Sequence, residues 1–402
     1  MTTCNFDTLP NRRGTGSTKW EFIYEGDLFV QTDRADEKYG DQRLLPLWVA
    51  DMDFCSPPAV IDALTERARH GIYGYTSPTD SYYTAVTNWM QKRYNWRVDR
   101  EWILQTPGVV PAINLLIQTF VRPGEKVLIQ RPVYYPFMNA IKNNGAEIVS
   151  NSLRYENGRY RMDFADLAEK AADPAVKLAI LCSPHNPVSR VWTPEELTRF
   201  GQICLENEVL IISDEIHCDL VCNGAKFTAF ATISDEFAQN SVICTAPSKT
   251  FNLAGLKTSN IIIPNPALRA PFARRLDAAG IHGLNCFGAV AVQAAYNHGE
   301  EWLAAMLAYV EANYHFLVDY LAAHLPQVRV VPLEGTYLAW CDFRALGLSP
   351  AGRKKRIMEK ANVYLDEGEL FGPEGEGFER INLACPRSIL AEALERIVRV
   401  MS

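Results

Sequence analysis

Apolar residues recur along the middle of the chain as short continuous runs separated by stretches of helical periodicity, not as strict in-out alternation. The runs at 125–130, 177–182, 209–213, 241–245 and 258–263 have the aliphatic, β-branched content of strands buried on both faces. Between two of them, Thr193-Pro194-Glu195-Glu196 supplies a cap, a proline at the first helical position and first-turn acids, so a helix is predicted over 194–207. Buried strands alternating with helices specify an α/β fold with a mostly parallel central sheet wrapped by helices. Downstream, a long amphipathic stretch at 288–324 leads to strand-like runs at 327–332, 335–342 and 380–384, a smaller α+β unit. The glycines of Gly372-Pro373-Glu374-Gly375-Glu376-Gly377 imitate a dinucleotide loop, but their glutamates would repel phosphate and a strand follows, so a turn is expected.

With 402 residues, 48% hydrophobic and 22% charged, the chain has apolar material for one large and one small domain. A formal net charge of -7 gives no general attraction to nucleic acid or to an anionic membrane, and neither is expected as a partner. The one basic run, Arg353-Lys354-Lys355-Arg356, is expected to be a solvated helix face. Residues 1–10 lack an apolar signal core and no run approaches the roughly 20 apolar residues of a membrane span, so a cytoplasmic location is expected. The ten cysteines are scattered with no Cys-x-x-Cys pair, which suits reduced core residues better than disulfides or zinc ligands. Cys218 and Cys222 beside His217 come nearest to a metal set, but no fourth ligand is apparent and no metal is expected.

Candidate chemistry gathers where the apolar runs end. Lys249 follows Val242-Ile243-Cys244 in the small polar turn Ser248-Lys249-Thr250-Phe251-Asn252-Leu253-Ala254-Gly255. It is either a solvated surface charge or a partly desolvated amine, whose lowered pKa makes it nucleophilic toward an aldehyde. Asp214 ends the preceding run, with His217 three residues on; the acid either meets a cation at a strand end or caps a helix start. Asn186, in Ser183-Pro184-His185-Asn186-Pro187, is either an amide fixed by flanking prolines for hydrogen bonding or a turn residue. At Thr106-Pro107-Gly108-Val109-Val110-Pro111 a glycine opens an apolar helical run, an ordinary helix start or a set of backbone N–H groups facing an anion.

Asn-Pro, Asp and Lys thus occur in that order, each at the end of an apolar run. Further marks are Asn5-Phe6-Asp7, Arg12-Arg13-Gly14-Thr15, Ser17-Thr18-Lys19-Trp20, Leu47-Trp48-Val49-Ala50-Asp51-Met52-Asp53-Phe54, Ile72-Tyr73-Gly74-Tyr75-Thr76 and Ala384-Cys385-Pro386-Arg387. On these residues, and over nearly its whole length, the chain resembles the fold-type-I pyridoxal-phosphate enzymes of the class I/II aminotransferase superfamily. Within it, the Trp48 motif and the amino-terminal Arg-Gly-Thr resemble the MalY/PatB-type cystathionine β-lyase (carbon–sulfur lyase) branch.

The resemblance implies a large cofactor-binding domain at 51–287, a small domain at 288–402, and an amino-terminal segment, 1–50, joining the small domain. It implies pyridoxal 5'-phosphate held by Lys249 as a Schiff base, with Asp214 at the ring nitrogen, Asn186 toward the phenolate oxygen, Tyr134 stacked on the ring and His217 near a ring substituent. Gly108, Val109 and Val110 would form the phosphate cup with Ser248, and Lys257 would stand where many aminotransferases carry an arginine, giving charge without a bidentate fork. Tyr75 and Asn285 would reach a neighbouring subunit's cofactor, implying a homodimer with shared active sites. Arg387 would hold the α-carboxylate of a small amino-acid substrate, with Ala50 approaching through its backbone. The implied reaction is α,β-elimination of L-cystathionine or related S-substituted L-cysteines to a thiol, pyruvate and ammonia, the thiol from cystathionine being homocysteine. Amino-acid transamination would use the same residues, and some relatives of this branch also bind a regulatory protein partner.

Overall fold

Seven strands form the central sheet of the computed structural model, which describes residues 5–25, 28–31 and 44–401. Their order across the sheet is Ile103–Thr106, Ser259–Ile262, Ser241–Thr245, Leu210–Asp214, Val176–Cys182, Lys126–Ile129 and Glu147–Ser150. The last five pair in parallel, while Ser259–Ile262 runs antiparallel to both its neighbours. The expected mostly parallel α/β sheet is therefore present. Two of its strands, Ile103–Thr106 and Glu147–Ser150, lie outside the runs read from the sequence; the second is only partly buried at the sheet's edge, so it needs no continuous apolar run.

The strands read as unbroken apolar runs because both faces are covered. Leu178 and Ile180 project into a core shared with helices Val109–Phe120, Tyr135–Asn143 and Pro266–Ala278, whereas Ala179 and Leu181 project into the main core on the other side. Helix Pro194–Glu206 starts as its sequence predicts: the Thr193 hydroxyl accepts from the Glu196 N–H at 3.2 Å, and the Glu196 carboxylate accepts from the Thr193 N–H at 2.9 Å.

The long amphipathic stretch resolves into two helices, Cys286–His298 and Glu300–His324. They break at Gly299, where any Cβ would overlap the Phe251 ring and the Ala295 carbonyl. Beyond them, Arg329–Val330, Leu338–Asp342, Phe378–Asn382 and Asp366–Glu367 form an antiparallel sheet. Strand Leu45–Pro46 pairs in parallel with Val363–Tyr364, which ties the amino-terminal segment to this carboxy-terminal unit.

The basic run is not a uniformly solvated face. Arg353 is buried, 2.5 Å from Glu379 and 2.7 Å from Glu369, because the strand pairing of Glu367 with Glu379 brings acids together beneath it. Lys354 pairs with Glu367 at 2.6 Å.

Candidate active site

Three neighbouring parallel strands, Val176–Cys182, Leu210–Asp214 and Ser241–Thr245, end on the same edge of the sheet, and the turns that follow them carry Asn186, His217 and Lys249. Together with Gly108, Val109, Val110, Tyr134, Asp214, Ser248, Lys257 and Ala50 these residues line one cavity. Its volume is about 200 Å³. Residues dispersed over more than 200 positions of sequence thus converge at the carboxyl ends of the strands, where open α/β sheets place their ligands.

Lys249 sits in the short helical turn Pro247–Thr250, and its Nζ donates to the Ala50 carbonyl at 2.6 Å. Burial lowers its pKa from the usual range to about 8; Arg380 and Lys257 reinforce the shift, while Asp51 and Asp214 oppose it. The turn is clamped on both sides. Thr250 donates to buried Asp219 at 2.9 Å, and Asn252 accepts from the Met52 N–H at 3.0 Å while donating to the carbonyls of Met52 and Phe54 at 3.0 and 2.9 Å.

Asp214 is buried and accepts a hydrogen bond from the Ile216 N–H at 3.1 Å. Desolvation pushes its carboxyl up to about 7, against the opposing effects of that N–H and of Lys249. His217 is buried with Nδ1 unpartnered, and its pKa is held well below the usual value by burial and by the charges of Lys249 and Arg380, so the ring is neutral. Gly108 adopts φ 130° ahead of helix Val109–Phe120, a conformation that favours glycine and exposes the first helical N–H groups.

Tyr75 is fully exposed and borders a second cavity with Asn285 and Lys257. Asn285 caps helix Cys286–His298, its Oδ1 accepting from the Phe287 and Gly288 N–H groups, both at 3.0 Å. Its Nδ2 donates to the Leu256 carbonyl.

Arg387 is not brought to the cavity, contrary to its expected place at a substrate carboxylate. Its Nε donates to Asn313 at 2.5 Å and its guanidinium lies 4.8 Å from the centre of the Phe316 ring, because Arg387 begins the helix Arg387–Met401 that packs on Glu300–His324. The guanidinium behind the cavity belongs to Arg380. Buried on strand Phe378–Asn382, it donates to the Asn186 Oδ1 at 3.0 Å and to the Trp48 carbonyl at 2.8 Å, pairs with buried Asp366, and keeps Nε unpartnered. The sequence did carry a signal for it: a charged residue inside the buried strand Phe378-Glu379-Arg380-Ile381-Asn382 needs a purpose-built partner.

A family model described as aminotransferase class I and II matches residues 43–397. The cystathionine beta-lyase PatB of Bacillus subtilis (strain 168) is 45% identical over 398 residues, an alignment covering 99% of this chain and 100% of that protein. A PLP-bound putative aminotransferase from Clostridium difficile 630 superposes with a TM-score of 0.93 at 44% identity, covering 99% of this chain and 100% of its own. Cystalysin from Treponema denticola, which contains a pyridoxal 5'-phosphate cofactor, superposes with a TM-score of 0.93 at 38% identity over 99% and 98% of the two chains.

Proposed function

The chain belongs to the aminotransferase class I and II family, and from that premise we propose that it is a pyridoxal-phosphate-dependent carbon–sulfur β-lyase acting on S-substituted L-cysteines. The observation that carries the chemistry is the convergence of Lys249, its pKa lowered, with the buried carboxyl of Asp214 in one cavity. The residues present fit the cofactor. Asp214 is a buried acid whose charge a ring N–H⁺ would neutralise, His217 offers an unpartnered ring nitrogen, and Gly108 leaves backbone N–H groups free for a phosphate.

Lys249 would hold the cofactor covalently, with Asp214 keeping the ring nitrogen protonated and Tyr134 forming a wall of its seat. Gly108, Val109, Val110, Ser248 and Lys257 would surround the phosphate. When bound, pyridoxal phosphate supplies an electron sink beside the substrate's α-carbon. The chain's own part is to place and deprotonate that carbon. Arg380, held by Asn186, Trp48 and Asp366, is set to take the α-carboxylate. Lys249 Nζ would remove the α-proton; its pKa near 8 makes it a competent base close to neutral pH. Departure of the β-substituent as thiol would leave aminoacrylate, which water would hydrolyse after release to pyruvate and ammonia.

Exposed Ile72, Tyr73 and Tyr75 beside the second cavity support a homodimer in which this edge meets its copy. The parallel pairing of Leu45–Pro46 with Val363–Tyr364 supports grouping the amino-terminal segment with the small domain. The nine described cysteines are all free, which supports a reducing, cytoplasmic setting. No helix among the described residues is long and apolar enough to cross a membrane.

Transamination would use the same residues, so the products decide. Purified holoenzyme should release pyruvate and free thiol from L-cystathionine, and should form no glutamate from an amino acid with 2-oxoglutarate. Glutamate without pyruvate would sink the lyase reading.

A further inference from the structure

The cavity at Lys249 has a second chamber. Ala50, Lys249, Ala254 and Lys257 border both the cofactor cavity and an adjoining cleft, whose far wall carries Arg12, Ser17 and Asp51. Arg12 and Asp51 meet there as a bidentate pair, Nη1–Oδ1 3.0 Å and Nη2–Oδ2 2.6 Å, and each side chain keeps 20% of its exposure. The charges behind them are closed off. Asp53, with no exposed side-chain surface, takes Arg12 Nη1 at 2.8 Å, Lys19 Nζ at 2.6 Å and the Trp20 indole at 2.7 Å. Ser17, on the same wall, buries a hydroxyl without a partner. One positive and one negative group therefore stand side by side at the cleft, backed by a saturated ion network.

Their position relative to the reacting groups follows from one segment. The Trp48 carbonyl holds Arg380, the Ala50 carbonyl holds Lys249, and the Asp51 side chain holds Arg12. Three residues of backbone span at most about 10 Å. A carboxylate anchor, a proton-removing amine and a dipolar pair are thus strung in order along a short stretch, matching an amino acid whose β-substituent runs on past the scissile bond.

Resting on the lyase reading above, we propose that Arg12 and Asp51 form the subsite for the leaving group and that they receive an S-substituent ending in an amino-acid group, its carboxylate on Arg12 and its ammonium on Asp51. A neutral S-alkyl substituent would desolvate the pair while returning no hydrogen bonds to it; a zwitterionic end supplies both. The favoured substrates are therefore bis-amino-acid thioethers and disulfides such as L-cystathionine and L-cystine.

The test compares L-cystathionine with S-methyl-L-cysteine in the wild-type holoenzyme and in Arg12→Gln and Asp51→Asn, reading pyruvate. Both side chains also act on Lys249 or its surroundings, so the ratio of the two kcat/KM values is scored, in which shared effects cancel. We expect each substitution to lower that ratio by about tenfold or more, the size of a lost charge-assisted hydrogen bond. As a binding readout, a cystathionine analogue with methylene in place of sulfur should inhibit the wild type more tightly than norvaline, a preference the variants lose. Pyruvate formation with an unchanged ratio overturns the subsite alone; no pyruvate from either substrate overturns the lyase reading on which it stands.

Discussion

If Arg380 is the carboxylate anchor, its replacement must hurt substrates that carry an α-carboxylate and spare one that does not. The magnitude follows from its surroundings: the guanidinium is buried, and two charge-assisted hydrogen bonds to a carboxylate in such a site are worth about 3–6 kcal/mol together. That corresponds to a loss of about 100-fold to 10,000-fold in kcat/KM. Simple truncation would also strand buried Asp366 without its partner, at a cost of about 3–5 kcal/mol in stability. The informative variants are therefore Arg380→Lys, which keeps the charge but not the fork, and Arg380→Gln combined with Asp366→Asn, which removes both charges. Methanethiol release from S-methyl-L-cysteine and from its carboxamide would be measured alongside thermal melts. Both variants should fall steeply on the acid and converge with the wild type on the amide. Arg387→Gln, which severs a contact to Asn313 away from the cavity, should change kcat/KM less than about threefold and cost about 1 kcal/mol of stability. A larger kinetic loss in Arg387→Gln than in either Arg380 variant would refute the assignment.

Capture of pyridoxal phosphate by the apoenzyme, followed by absorbance, should accelerate as pH rises through about 8, where Lys249 sheds its proton, instead of through the usual lysine range. Asp214 has a folded pKa near 7 against an unfolded value of 3.8, so the folded apoprotein binds the extra proton between those values. Its contribution to stability falls as pH rises across that window, by up to about 4 kcal/mol, and chemical denaturation of apo Asp214→Asn should lack this component while retaining the cofactor poorly. Asn252→Ala removes three hydrogen bonds that join the lysine turn to Met52 and Phe54, and urea titration should show a loss of about 2–4 kcal/mol; an unchanged midpoint would mean the clamp is not under load.

Much of the site was legible because its residues stand at the ends of buried strands. Lys249, Asp214 and Asn186 each follow an apolar run, and the topology needs only to set three such strands side by side to gather them. Helix 194–206 was legible for a local reason as well, since Thr193 and Glu196 form their cap within one turn. Arg380 was not, because its role depends on which strand crosses behind Asn186, a contact across 194 residues with no local trace beyond a charge in an apolar run. Arg387 misled because the Cys385-Pro386-Arg387 turn is conspicuous in sequence, while the direction of its side chain is set by helix Glu300–His324. Arg353 was hidden in the same way, its acids arriving from Glu369 and Glu379.

The segment from Trp48 to Phe54 has a consequence for biosynthesis. Its backbone is pinned by Lys249, Asn252, Arg380 and Asn382, at separations of 199, 200, 332 and 333 residues. A ribosome that has made the whole central sheet has therefore made Lys249 and Asp214 but not the last of these pins. The floor on which the lysine rests closes only after residue 382 has emerged, so a truncated nascent chain would carry Lys249 without the Arg380 and Asn382 contacts that fix the segment beneath it. Lys249 and Arg380 thus come to share one backbone support only near the end of synthesis.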